Sequence, residues 1–134
     1  MTPSEELTSR YTRIEREADA LGRVIGVRRL KVSQQVKVSE MTPSLEGNTE
    51  MTSEDGRSVR ISRRSLPVVA ASVCEIDGTM IPFARTRGEL DAIMDRLDEE
   101  GLVAAVIAYS RFAPQPEANG AEGDSEDTND LAKK

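Results

Sequence analysis

Covalent chemistry needs a nucleophile, a proton carrier or a set of metal ligands, and the 134 residues offer few of these. There is no His, so the commonest general base and the commonest zinc ligand are both missing. Cys74 is the sole thiol; it has no His to activate it and lies in the apolar run "VVAASVCEI", so it reads as a buried structural residue. Asp98, Glu99 and Glu100 could suggest a cation site, but three acids in a row at the end of a helix read better as solvated surface. Asp77-Gly78 lacks the further acidic positions of a calcium loop, and Gly22 and Gly26 do not extend to a phosphate-cradling pattern. No catalytic residue, cofactor site or metal site is assigned.

Charge is the next feature that could act on a partner. The chain carries a net −6, unevenly placed. Residues 10–37 hold eight cations (Arg10, Arg13, Arg16, Arg23, Arg28, Arg29, Lys31, Lys37) against Glu15, Glu17 and Asp19, a net of +5. Residues 113–134 hold six acids against Lys133 and Lys134, a net of −4. The basic stretch could face nucleic acid. It has one aromatic, Tyr11, and no RNA-binding signature, so a solvated sheet face is the preferred account.

Several elements would position these groups. Residues 1–9 are polar and are predicted to fray. Alternation in "YTRIEREADALGRVIGVRRL" predicts a β-hairpin, with strands about 11–18 and 23–29 around the turn "DALGR". Val32, Val36 and Met41 fit one face of a short helix over 31–41. Residues 42–56 are rich in turn formers and read as a loop. A helix is predicted from near Ser65, with Pro67 in its first turn where a missing N–H costs nothing. Asp77-Gly78 between "VCEI" and "TMIPF" predicts a second hairpin closed by a type I′ turn. Thr86 and Glu89 form a capping box for a helix that Gly101 closes as a C-cap. A last helix over 102–112 follows.

That last helix is apolar on two faces. Leu102, Val106 and Tyr109 line one, and Val103, Ile107 and Phe112 line the other. A surface helix needs one apolar stripe. Two accounts fit equally: a central helix buried all round, or a helix that offers Val103, Ile107 and Phe112 to a partner. Beyond Phe112 the apolar content is too low to offset ordering entropy, so residues 113–134 read as a disordered acidic tail. The expected protein is thus one small α+β domain over 1–112, with two β-hairpins and about four short helices, followed by that tail. A lone Cys, a polar N-terminus and the lack of a long apolar run lead us to expect a soluble intracellular protein with no membrane partner.

Three stretches, "DALGRVIGVRRL", "VVAASVCEIDG" and "IPF…TRGELDAIMDRLDEEGL", in that order, resemble tail assembly chaperones of long-tailed bacteriophages and prophages. The resemblance covers about residues 14–112, without the loop at 42–59. It implies a non-enzymatic protein of the bacterial host cytoplasm, absent from the finished virion. Such a protein binds the tape measure protein, keeps it soluble and helps recruit tail tube protein subunits. It implies no cofactor, and it leaves self-association and a longer frameshifted form open. The alternative is a small nucleic-acid-associated regulator that uses the basic hairpin, the less favoured of the two.

Overall fold

The computed structural model describes residues 2–43 and 46–112. The tail at 113–134 lies outside the described residues. In chain order the elements are α1 (Pro3–Thr12), β1 (Ile14–Ala18), β2 (Val24–Arg28), α2 (Val32–Met41), β3 (Asn48–Thr52), β4 (Ser58–Ser62), α3 (Leu66–Ser72), β5 (Val73–Ile76), β6 (Thr79–Met80) and α4 (Arg87–Ser110). β1, β2, β5 and β6 form one antiparallel sheet in that order, and β3 with β4 forms a separate two-stranded ribbon. The α+β class and both expected hairpins are present, but the first strand starts at Ile14 and not near 11, because Tyr11 and Thr12 are taken up by α1.

One face of the four-stranded sheet is covered by α4, which also packs on α3 and the ribbon. Ile25 and Val27 of β2, Val73 and Ile76 of β5, and Leu90, Leu97 and Val103 of α4 meet in this core. Burial of aliphatic side chains of this size contributes roughly 1.5–3 kcal/mol each. By register, Glu15 and Glu17 of β1 lie opposite Val27 and Ile25, on the same covered face. They close its edge with Arg111 and Arg57: Arg111 pairs with Glu17, and Arg57 Nη1 reaches Glu17 at 2.7 Å. On the open face Arg16 and Glu75 pair at 2.7 Å across Gly26, which lies between them in register and has no side chain to bar the way.

Three local expectations fail. The first turn does not fray: Thr2 Oγ1 accepts from Glu5 N–H at 3.1 Å, and Glu5 Oε1 accepts from Thr2 N–H at 2.8 Å. That reciprocal capping box, with Pro3 in the first turn, starts α1. Residues 42–56 are not all loop, because β3 and the turn that joins it to β4 fall within them. Finally, Gly101 is not a C-cap. The helix breaks three residues earlier, at Asp98 (φ 55°, ψ −172°), and Gly101 is buried inside the segment that follows.

The break has a clear cause. Arg23 places Nη1 2.9 Å from the Arg96 carbonyl and Nη2 2.7 Å from the Leu97 carbonyl. It thereby caps the last carbonyls of the first helical segment with a charged fork. Its Nε donates to Asp19 Oδ2 at 2.8 Å, and Asp19 Oδ1 accepts from the N–H groups of Leu21 and Arg23. Asp98 sits in a backbone region that favours glycine, at a cost on the order of 1–3 kcal/mol that the surrounding contacts must offset. A Cβ on Gly101 would fall 2.9 Å from Leu97 Cβ and 3.2 Å from Arg23 Nη2, so only glycine lets the helix resume this close to the latch.

Candidate partner-binding groove

The final helix does not offer the face expected of it. Val103 is fully buried, and Leu102, Ala104, Ala105 and Ala108 are buried with it. α4 as a whole packs on the sheet, α3 and the ribbon, and the residues of both apolar faces join the core or pack against it. The buried-helix account holds for Val103, and its proposed outward orientation is corrected. Ile107 and Phe112 are half-buried against the core. Phe112 meets Tyr109 edge to face with ring centroids 5.7 Å apart, and the Arg13 guanidinium lies 5.0 Å from its centroid.

The turn and cap residues stand close to expectation. Asp77 (φ 54°) and Gly78 (φ 85°) both have positive φ between paired Ile76 and Thr79, as a type I′ turn requires. Thr86 Oγ1 accepts from Glu89 N–H at 3.1 Å. Glu89 does not return the bond to Thr86; its Oε1 accepts from Arg85 N–H at 2.7 Å, one residue further back. Cys74 is buried, and that burial pushes its thiol pKa up, which disfavours the reactive thiolate. Among the described residues no group of three His, Cys, Asp or Glu side chains is placed to hold a metal ion, and no helix is long and apolar enough to cross a membrane.

A concave surface lies elsewhere. A groove of about 660 Å³ opens between α1 and the β2–α2 junction. Leu7 and Tyr11 of α1 and Val32 of α2 give it an apolar lining; Arg28, Arg29 and Lys31 give it charge. Leu7 is 51% exposed and Val32 69%. Among the described residues these three cations pair with no carboxylate, whereas Arg13, Arg16, Arg23, Arg57 and Arg111 all do. Within the basic stretch, Arg13, Arg16 and Arg23 pair with carboxylates, and Arg28, Arg29 and Lys31 line one groove.

Both walls of the groove depart from the sequence reading. α1 buries no residue, and Leu7 is left about half exposed. On α2 the face turned inward carries Val38 and Met41, not Val32 and Val36; the latter pair, one helical turn apart, stays exposed. Two signals could have disclosed this surface: the Thr2-Pro3-x-Glu5 start of α1, and the Val32–Val36 spacing next to three cations. Comparisons with protein-family models, with curated proteins and with solved structures find no match.

Proposed function

We propose that this protein is a non-enzymatic assembly chaperone of the long-tailed-phage type, acting in the host cytoplasm and left out of the finished particle. It binds the tape measure protein, keeps that helical chain soluble and helps recruit tail tube subunits. The observation that supports this reading is the groove. An apolar lining flanked by three cations that pair with no carboxylate among the described residues suits an amphipathic helix with acidic residues beside its apolar stripe. Covering about 400 Å² of apolar surface would contribute roughly 10 kcal/mol gross, most of it offset by association entropy. Many weak copies along one rod would then act together.

The test is co-expression of the tape measure protein with Leu7→Asp and with Val32→Asp. Both side chains are exposed, so the variants should fold as the parent does. The partner should lose solubility with either variant; full solubility with both would place the contact elsewhere. The same three cations favour one second reading, a nucleic-acid-associated regulator. Its binding to duplex DNA would weaken steeply with salt, whereas a helix docked mainly through Leu7, Tyr11 and Val32 would resist salt far better.

A further inference from the structure

We propose that two copies of this chain pair through the outward face of α2, antiparallel about a two-fold axis at Val36, so that Glu40 of each copy lies beside Lys31 of the other. The inference goes beyond the chaperone reading and depends on no other protein.

Three observations carry it. The first is an exposed apolar seam. Val32 and Val36 stand one turn apart on the face of α2 opposite Val38 and Met41, and Val36 is 51% exposed. Leu7 and Tyr11 of α1 extend this seam across the groove.

The second is that the charges of α2 run against its own dipole. A helix carries partial positive charge at its N-terminal end and partial negative charge at its C-terminal end. α2 has Lys31 at its N-cap and no acid in its first turn; Glu40 stands in its last turn, with no base there. Both side chains are exposed, and among the described residues neither forms an ion pair. A second α2 laid antiparallel gives each end the sign it lacks: Glu40 of the other copy at the N-terminal end, and Lys31 of the other copy at the C-terminal end.

The third is register. Val32, Val36 and Glu40 follow at intervals of four and so form one row along the helix. A two-fold axis at Val36 sets that residue against itself and Val32 level with Glu40 of the other copy. Lys31 is then displaced from that Glu40 by one residue's rise, ~1.5 Å along the axis. Arg28 and Arg29 lie at the same end of the groove and add to the attraction. An isologous contact makes each of these pairings twice, so the face is complementary to itself in both shape and charge. The dimer covers Val32, so a helix that docks in the groove must first separate the two copies.

The experiment is sedimentation equilibrium on the full chain. The parent should dimerise in the micromolar range; a chain that stays monomeric up to about 1 mM would overturn the proposal. Glu40→Lys and Lys31→Glu each bring α2 into line with its own dipole, so the helix should form at least as well as in the parent, which circular dichroism checks. Each change also sets like charges against one another across the seam and should weaken the dimer about tenfold or more. The double variant should associate several-fold more tightly than Glu40→Lys alone. A dimer that neither single change weakens, or a double variant no tighter than Glu40→Lys, would refute the pairing. Position is read by mild oxidation of Val36→Cys, which should give a disulfide-linked dimer while buried Cys74 stays reduced. Failure of that cross-link, or an equal yield from Glu54→Cys on the exposed β3–β4 turn, would place the contact elsewhere and overturn the proposal. Glu40 does not line the groove, so loss of the dimer in Glu40→Lys leaves the chaperone reading untouched.

Discussion

Two turns in this molecule share one backbone design and serve different ends. Asp19-Ala20-Leu21-Gly22-Arg23 joins β1 to β2, and Ser53-Glu54-Asp55-Gly56-Arg57 joins β3 to β4. In each, the first residue's N–H donates to the fifth carbonyl, at 2.8 and 2.9 Å, and the glycine N–H donates to the first carbonyl, at 3.0 and 2.9 Å. The glycines have φ of 89° and 91°. Each turn ends on an Arg that reaches out of its own hairpin. Arg23 caps the broken α4 helix, while Arg57 Nη2 donates to the Ala18 carbonyl at 2.7 Å and so ties the ribbon to the edge of the main sheet.

The difference lies in where the carboxylate sits. In the first turn it is on Asp19, which is buried and orients Arg23 from inside the fold. In the second it is on Asp55, which is exposed and holds Arg57 at 2.8 Å from outside. Ser53 takes the buried position and donates its hydroxyl to Asp55. Identical backbone geometry therefore yields a core latch in one place and a surface tie in the other, because desolvation sets what an ion pair is worth.

The comparison can be broken most sharply at Asp19. Asp19→Ala leaves two turn N–H groups and a half-buried guanidinium without their acceptor. The expected loss is on the order of 3–5 kcal/mol, read from urea unfolding. The corresponding Asp55→Ala, at a solvent-exposed carboxylate, should cost far less. Equal losses would mean burial is not what separates the turns. Next in size are Gly22→Val and Gly56→Val. No atom crowds a Cβ at either site, so strain at positive φ is the whole effect, about 1–3 kcal/mol and similar in both. A much larger loss at one site would show that its turn does more than reverse the chain.

The smallest effect is one of pH. The Ser53 hydroxyl, then the Arg57 backbone N–H, hold the Asp55 carboxyl below its usual value of 3.8. A depressed folded-state pKa gives stability that is fully present above 3.8 and lost as pH falls through the folded value. Amide exchange in β3 and β4 should therefore accelerate in strong acid by more in the parent than in Asp55→Asn. The same acceleration in both would remove Asp55 from the account.

Much of the fold was legible wherever the signal is local. The Asp77-Gly78 turn, the Thr86 cap, the Pro67 start of α3 and the "DALGR" hairpin depend on φ preferences and nearby hydrogen bonds, which a few adjacent residues decide. The "SEDGR" turn was equally visible in kind. It was lost because its flanks, "NTEMT" and "SVRIS", are too polar to read as strands. Tertiary contacts decided the rest. Val103 belongs to the core because α4 packs among the sheet, α3 and the ribbon, and no periodicity in one helix counts the neighbours on its sides. The helix breaks at Asp98, not at Gly101, because a guanidinium from residue 23 supplies the donors its carbonyls need. The groove follows the same rule. Its residue types stand in the sequence, but which cations remain unpaired depends on which carboxylates the fold brings within reach of the others.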